Sequence, residues 1–140
     1  MRLMKRVIFL RKTNAFTLNE MLMVLAIIGI LLLLALPQFM PLISKTKAQE
    51  AKIQLKYIAN LQSQYRYLNS KYTMEFNELD FEAPKTVNEG GTANYRYEVI
   101  EASTGNFKVR AEAIVDFDGD GVFNIWEIDE NGNPKEVTKD

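Results

Sequence analysis

Two sets of carboxylates in this chain are spaced to do chemistry. Asp116-Phe117-Asp118-Gly119-Asp120-Gly121 alternates acids with turn-forming residues. Such a run gathers oxygen donors around Ca²⁺, a hard ion that takes about 6–8 of them. As a twelve-residue loop, Asp116, Asp118, Asp120, Gly121 and Glu127 match the EF-hand spacing. The last match fails on geometry. Val122–Asp129 reads as a strand, and seven extended residues carry Glu127 about 20 Å beyond Asp120. Asp116, Asp118 and Asp120 are therefore the candidate calcium ligands, together with backbone carbonyls, and Glu127 is not. The competing reading is a hairpin turn in which Asp and Gly supply only the turn geometry.

The second set is a single residue. Glu20 lies one turn into a run that begins at Phe16 and is otherwise almost wholly apolar, with 16 uninterrupted apolar or small residues from Met21 to Leu36. With its flanks the run approaches the roughly 20 residues that span a bilayer. A carboxylate there costs about 2.5–3.5 kcal/mol on insertion scales, so it marks function and requires a partner. The run contains no Lys, Arg or His, so the positive charge must come from outside the helix. Arg2, Lys5, Arg6, Arg11 and Lys12 precede the run, as expected of a cytoplasmic flank.

Ala15-Phe16-Thr17-Leu18-Asn19-Glu20 followed by an apolar helix resembles the N-terminal signal of type IV pilins and type II secretion pseudopilins. The resemblance implies that prepilin peptidase removes residues 1–15, cutting between Ala15 and Phe16, and that Phe16 becomes the methylated N-terminus. It implies further that Glu20, then the fifth residue, pairs with the terminal amine of a neighbouring subunit and sets filament register. Two positions depart from the family pattern: Ala15 stands where glycine is commonest, and Asn19 where an apolar residue is. Pro37, the twenty-second residue of the processed chain, matches a helix-weakening proline found in many type IV pilins.

A secretory signal peptide would place a small-residue cleavage site beyond the apolar core, whereas the chain continues Pro37-Gln38-Phe39-Met40-Pro41. A plain signal anchor accounts for the hydrophobicity and the basic flank but not for Glu20.

Composition excludes several chemistries. The chain has no cysteine and no histidine, which rules out a disulfide, a thiol nucleophile, a Ser-His-Asp triad and a His/Cys zinc site. Enzymatic activity is not expected. Loss of residues 1–15 removes five basic and no acidic residues, leaving 12 basic against 18 acidic. Residues 116–140 hold eight acids against Lys135 and Lys139. Nucleic acid binding through a basic patch is thereby disfavoured.

The elements that would position these residues follow from periodicity. Pro37 and Pro41 predict a kink or a locally melted stretch at the end of the apolar run. From Ser44 to about Tyr72, Ala48, Ala51, Leu55, Ile58, Leu61 or Gln62, Tyr65, Leu68 and Tyr72 recur at helical spacing among Lys, Gln, Arg and Asn. A coiled coil is the competing use of that stripe, but the register is short and no e/g charge code appears. Residues 73–93 read as a connecting loop with Met74, Phe76, Leu79 and Phe81 apolar at wide spacing, punctuated by Pro84, Gly90 and Gly91. Tyr72, Phe76, Leu79 and Phe81 resemble the segment that in many pilins pins this loop back onto the long helix. Alternation at Tyr95–Ile100, Phe107–Val115 and Val122–Asp129 predicts an antiparallel meander with one buried face. The expected fold is α+β, a long N-terminal helix on a small antiparallel sheet. It divides into a leader at 1–15, an apolar membrane or filament-core helix at 16–43, and an exported head at 44–140. The head comprises an amphipathic helix at 44–72, a loop at 73–93 and a sheet at 94–140.

The resemblance implies a structural subunit of a type IV pilus or related filament supporting adhesion, motility or DNA uptake. Its partners would be further copies of itself, prepilin peptidase, the inner-membrane assembly machinery and the membrane. It would sit in the inner membrane with its head outside the cytoplasm before joining a surface filament. The alternatives are a pseudopilin in a periplasmic pseudopilus, and a monomeric membrane-anchored calcium module. The Trp-Gly-Pro-Tyr-type C-terminal segment of major secretion pseudopilins is missing.

Overall fold

The computed structural model describes residues 15–140, so the basic leader at 1–14 lies outside the described residues. Helix α1 (Leu18–Asn69) is followed by two 3-10 turns, Phe76–Leu79 and Val87–Glu89. The strands β1 (Tyr95–Ala102), β2 (Phe107–Ala113), β3 (Ile125–Asp129) and β4 (Lys135–Thr138) come after them. The chain divides into two compact units, one reaching to Pro37 and one running from Gln38 to Asp140.

In the first unit every side chain from Phe16 to Leu34 is exposed, including the bulky apolar ones. An uncovered all-round apolar helix suits lipid or other helices rather than water. By length and composition, α1 is able to cross a membrane.

The sequence predicted a kink or a melted stretch at Pro37 and Pro41; α1 is helical through both, so the stretch is not melted. Each proline deletes one backbone donor. Because they are four residues apart, the donor missing at Pro41 is the one that would have reached the Pro37 carbonyl. The remaining hydrogen bonds carry the helix through.

In the second unit, Ala48, Ala51, Leu55 and Ile58 of α1 share one core with Tyr95, Tyr97, Val99, Phe107, Val109, Ala111, Trp126 and Ile128 of the sheet. The sheet is an antiparallel meander in the order β1-β2-β3-β4. Its inner face sets small residues between large ones: Ala111 is registered with Tyr97 on one side and Trp126 on the other. Each large apolar side chain buried here contributes about 1.5–3 kcal/mol.

The helix ends at Asn69, where Ser70 takes the left-handed conformation (φ 58°) that stops it. Tyr72, expected as the last helical position, is buried in the following loop, with its backbone N–H donating to the Ser103 carbonyl at 2.9 Å. Leu68, expected in the core, is 85% exposed. The buried stripe ends at Gln62, and Leu68 falls beyond the last turn that meets the sheet.

The loop is pinned as expected by Leu79 and Phe81, which are buried; Phe81 contacts Phe76 at 5.0 Å and Tyr97 at 6.3 Å between ring centroids. Met74 is half exposed. The third strand begins at Ile125 rather than Val122, and β4 was not anticipated.

Candidate functional site

At the start of α1, Thr17 and Glu20 form a reciprocal cap. The Thr17 backbone N–H and hydroxyl both donate to Glu20 Oε2 at 2.8 Å, and the Glu20 N–H donates to Thr17 Oγ1 at 3.3 Å. This is a capping box: it satisfies backbone donors that the first helical turn leaves free. A carboxylate in the first turn also sits favourably against the positive end of the helix dipole. Among the described residues, no donor reaches Glu20 Oε1. Phe16, Asn19 and Glu20 are exposed around this cap, and Ala15 precedes it in irregular backbone. Thr17 escaped the sequence reading, although Thr-x-x-Glu before an apolar run is the signal for such a box.

The aspartate loop lies between β2 and β3. Asp116 Oδ1 accepts from the Gly119 N–H and its Oδ2 from the Gly121 N–H, both at 2.7 Å. Asp118 accepts from the Asp120 N–H at 3.1 Å, and Asp120 from the Val122 N–H at 2.7 Å. Gly119 (φ 83°) and Gly121 (φ 86°) supply the left-handed positions that fold the loop back on itself.

One carboxylate oxygen from each of Asp116, Asp118, Asp120 and Asp140 lies within 4.8 Å of the others. Asp140 Oδ2 accepts from the Phe117 N–H at 2.9 Å, while its Oδ1 is buried with no hydrogen-bond partner. Hydrogen bonds from the Gly121 and other loop amides hold the Asp116 carboxyl below the usual range. Burial, reinforced by the charges of Asp120, Asp140 and Asp116, pushes that of Asp118 up. Four acids this close, none in an ion pair among the described residues, form an oxygen-rich cluster whose donor chemistry fits a hard divalent cation.

Glu127 is not part of that cluster. It lies on β3, and its Oε1 alone accepts from both Arg110 Nε at 2.9 Å and Nη2 at 2.7 Å, an ion pair across the outer sheet face. Asp140 was missed because it is 20 residues from Asp120 in sequence and nothing local marks it. Pro37 lies in the continuous helix.

No protein-family model matches the chain. Over 102 residues it is 35% identical to the type IV major pilin protein PilA of Myxococcus xanthus (strain DK1622). The match covers 73% of this chain but 43% of that protein's length.

Proposed function

The chain is a relative of the type IV pilins, and on that premise we propose that it is a structural, non-enzymatic subunit of a type IV pilus. The observation that carries this reading is the joining of a wholly exposed apolar helix, with Glu20 in its first turn, to a small helix-on-sheet head. Filament formation gives that helix a home: the apolar helices of many copies pack together and the heads form the outer layer. Glu20 Oε1, which has no donor in the described residues, accepts the Phe16 amine of the next subunit after cleavage between Ala15 and Phe16 and methylation of Phe16. Before assembly the subunit is held in the inner membrane by the same helix, where prepilin peptidase and the assembly machinery act on it. Likeness to a major pilin supports a surface pilus over a secretion pseudopilus. The test is Glu20→Ala in the full chain. The expected result is normal membrane insertion with assembly abolished or strongly impaired, and normal assembly overturns the pairing.

The buried, unpartnered Asp140 Oδ1 supports a second reading, in which the head carries a calcium site formed by Asp116, Asp118, Asp120 and Asp140. The ion would neutralise the clustered charge and close the 116–140 segment in a chain without disulfides. Calcium titration of the detergent-solubilised full chain tests it. Binding should be present in the wild type and lost in Asp118→Asn, and the absence of heat or a stability shift in the wild type overturns it.

A further inference from the structure

Within the second unit, helix α1 carries different surfaces on its two flanks. On one flank, Lys47 Nζ donates to Asn94 Oδ1 at 3.1 Å, and Asn94 Nδ2 donates to Glu50 Oε2 at 2.9 Å. The Phe117 ring lies against the same amine, its centroid 4.8 Å from Nζ, which holds the aspartate loop on this side. On the other flank, Lys52 Nζ sits 4.4 Å from the centroid of the Trp126 ring. At 3.6 residues per turn, Lys52 and Lys56 lie about 140° and 180° round the helix from Lys47.

The Lys52 flank forms a groove of about 420 Å³ lined by Gln49, Lys52, Ile53, Lys56, Trp126 and Pro134. Lys56 is exposed, and Ile53 is 65% exposed. Among the described residues neither lysine is in an ion pair, and no acid lines the groove. The adjoining hollow towards Ser44 differs, because Glu136 and Asp140 share it with Lys45 and Lys139. The groove thus offers two uncompensated amines beside an exposed apolar side chain.

The aspartate loop offers the converse. Asp118 and Asp120 are exposed and, among the described residues, in no ion pair. Directly after them, Val122 and Phe123 leave large apolar side chains about 40% exposed. A divalent cation in the loop would not reverse its sign, since four clustered carboxylates outweigh two positive charges.

We propose that the aspartate loop of one copy docks in the Lys52 groove of the next. Asp118 and Asp120 face Lys52 and Lys56, and Val122 and Phe123 cover Ile53. The contact rests on the proposed filament, and it adds to the packed apolar helices a second join, between heads. Loop and groove are different patches on opposite flanks of α1, so a copy that receives a loop still presents its own. Contacts of this heterologous kind repeat into rings or open helical filaments, whereas a self-complementary patch stops at a dimer. Exposed ion pairs are individually weak and are screened by salt. Their part is to steer approach, fix register and reject like-charged faces, while the apolar pair is removed from water.

The chain has no cysteine, so introduced thiols are unique. Lys56→Cys and Asp120→Cys are combined in one full-length chain, and sheared filaments are treated with a flexible bismaleimide. The expected result is a ladder of dimers, trimers and longer products on denaturing gels, and no ladder from either single variant. Independently, Lys56→Glu should lower the yield of sheared filament several-fold at equal membrane level, and Lys56→Arg should keep it. Filaments of the double variant that give no ladder overturn the contact, as do dimers from a single variant, and both leave the filament standing. Wild-type yield from Lys56→Glu, or an equal loss in Lys56→Arg, overturns the charge pairing. A wild type that builds no filament removes the filament and this contact together.

Discussion

Thr17 holds Glu20 from two directions: its backbone N–H and its hydroxyl both donate to the same carboxylate oxygen at 2.8 Å. The residue proposed as the filament's acceptor is therefore already engaged within its own chain, by one oxygen only. The cap fixes the rotamer of Glu20 and leaves the other oxygen for a partner. On the proposed pairing, a subunit entering a filament would keep the cap and add a contact rather than exchange one for another.

It follows that Thr17→Ala should lower the yield of assembled filament several-fold, because the carboxylate loses its positioning hydroxyl. Thr17→Ser should restore it, since serine caps at least as well. Quantifying filaments sheared from cells expressing each variant at equal level checks this. Equal yields from Thr17→Ala and wild type would show that the cap does not position Glu20.

The loop after α1 hangs on Gln62. This fully buried side chain donates to the Thr73 carbonyl at 2.6 Å and accepts from the Thr73 N–H at 3.1 Å, replacing backbone pairing that the loop cannot make for itself. Gln62→Ala should cost about 1–3 kcal/mol by stranding both groups. Denaturant unfolding of the detergent-solubilised full chain measures it.

Gly91 and Gly90 should separate two kinds of strain. A Cβ at Gly91 would sit 2.0 Å from the Lys85 carbonyl oxygen, within the paired segments that join Thr86 to Ala93. At Gly90 the space is open, and the obstacle is a left-handed φ of 79°. Gly90→Ala should cost about 1–2 kcal/mol, and Gly91→Ala should cost more because backbone must move. The order of the two melting temperatures is the check.

Calcium binding in the aspartate cluster should weaken as pH falls, because the ligands must be ionised. Burial and the neighbouring acids raise the Asp118 carboxyl above its ordinary value, so it protonates before Asp116, which the loop amides keep ionised to lower pH. The sign for folding runs in opposite directions at the two residues. The raised Asp118 costs stability once it ionises, and acid relieves that cost. The depressed Asp116 contributes stability that is lost as pH falls through its folded value. Titrations at pH 7 and at about pH 4.5, just above the ordinary aspartate range, should show markedly weaker binding at the lower pH.

Legibility in the sequence followed the range of the interactions. Helical spacing found Ala48, Ala51, Leu55 and Ile58, and period-two alternation found β1 and β2, since both patterns are local. The four-residue β4 is too short and too polar to show alternation; it exists because β3 offers an edge to pair with. Periodicity offered Leu61 or Gln62 for one core position, and the structure buries Gln62 because Thr73 needs its amide. Leu68 fits the stripe but outruns the sheet, whose extent the helix sequence does not encode. At the candidate sites the alternating aspartates were visible, whereas Asp140 joins them only through the tertiary fold. The contact of Lys47, Glu50 and Asn94 was likewise invisible, because 44 residues separate Glu50 from Asn94.

The central claim is that this chain builds a surface filament. It is tested most directly by electron microscopy of the sheared surface fraction, labelled with antibody against residues 44–140. The account predicts label at regular intervals along extended external filaments, and their loss in Glu20→Ala. Protein confined to the cell envelope, with no labelled filament outside, would contradict it.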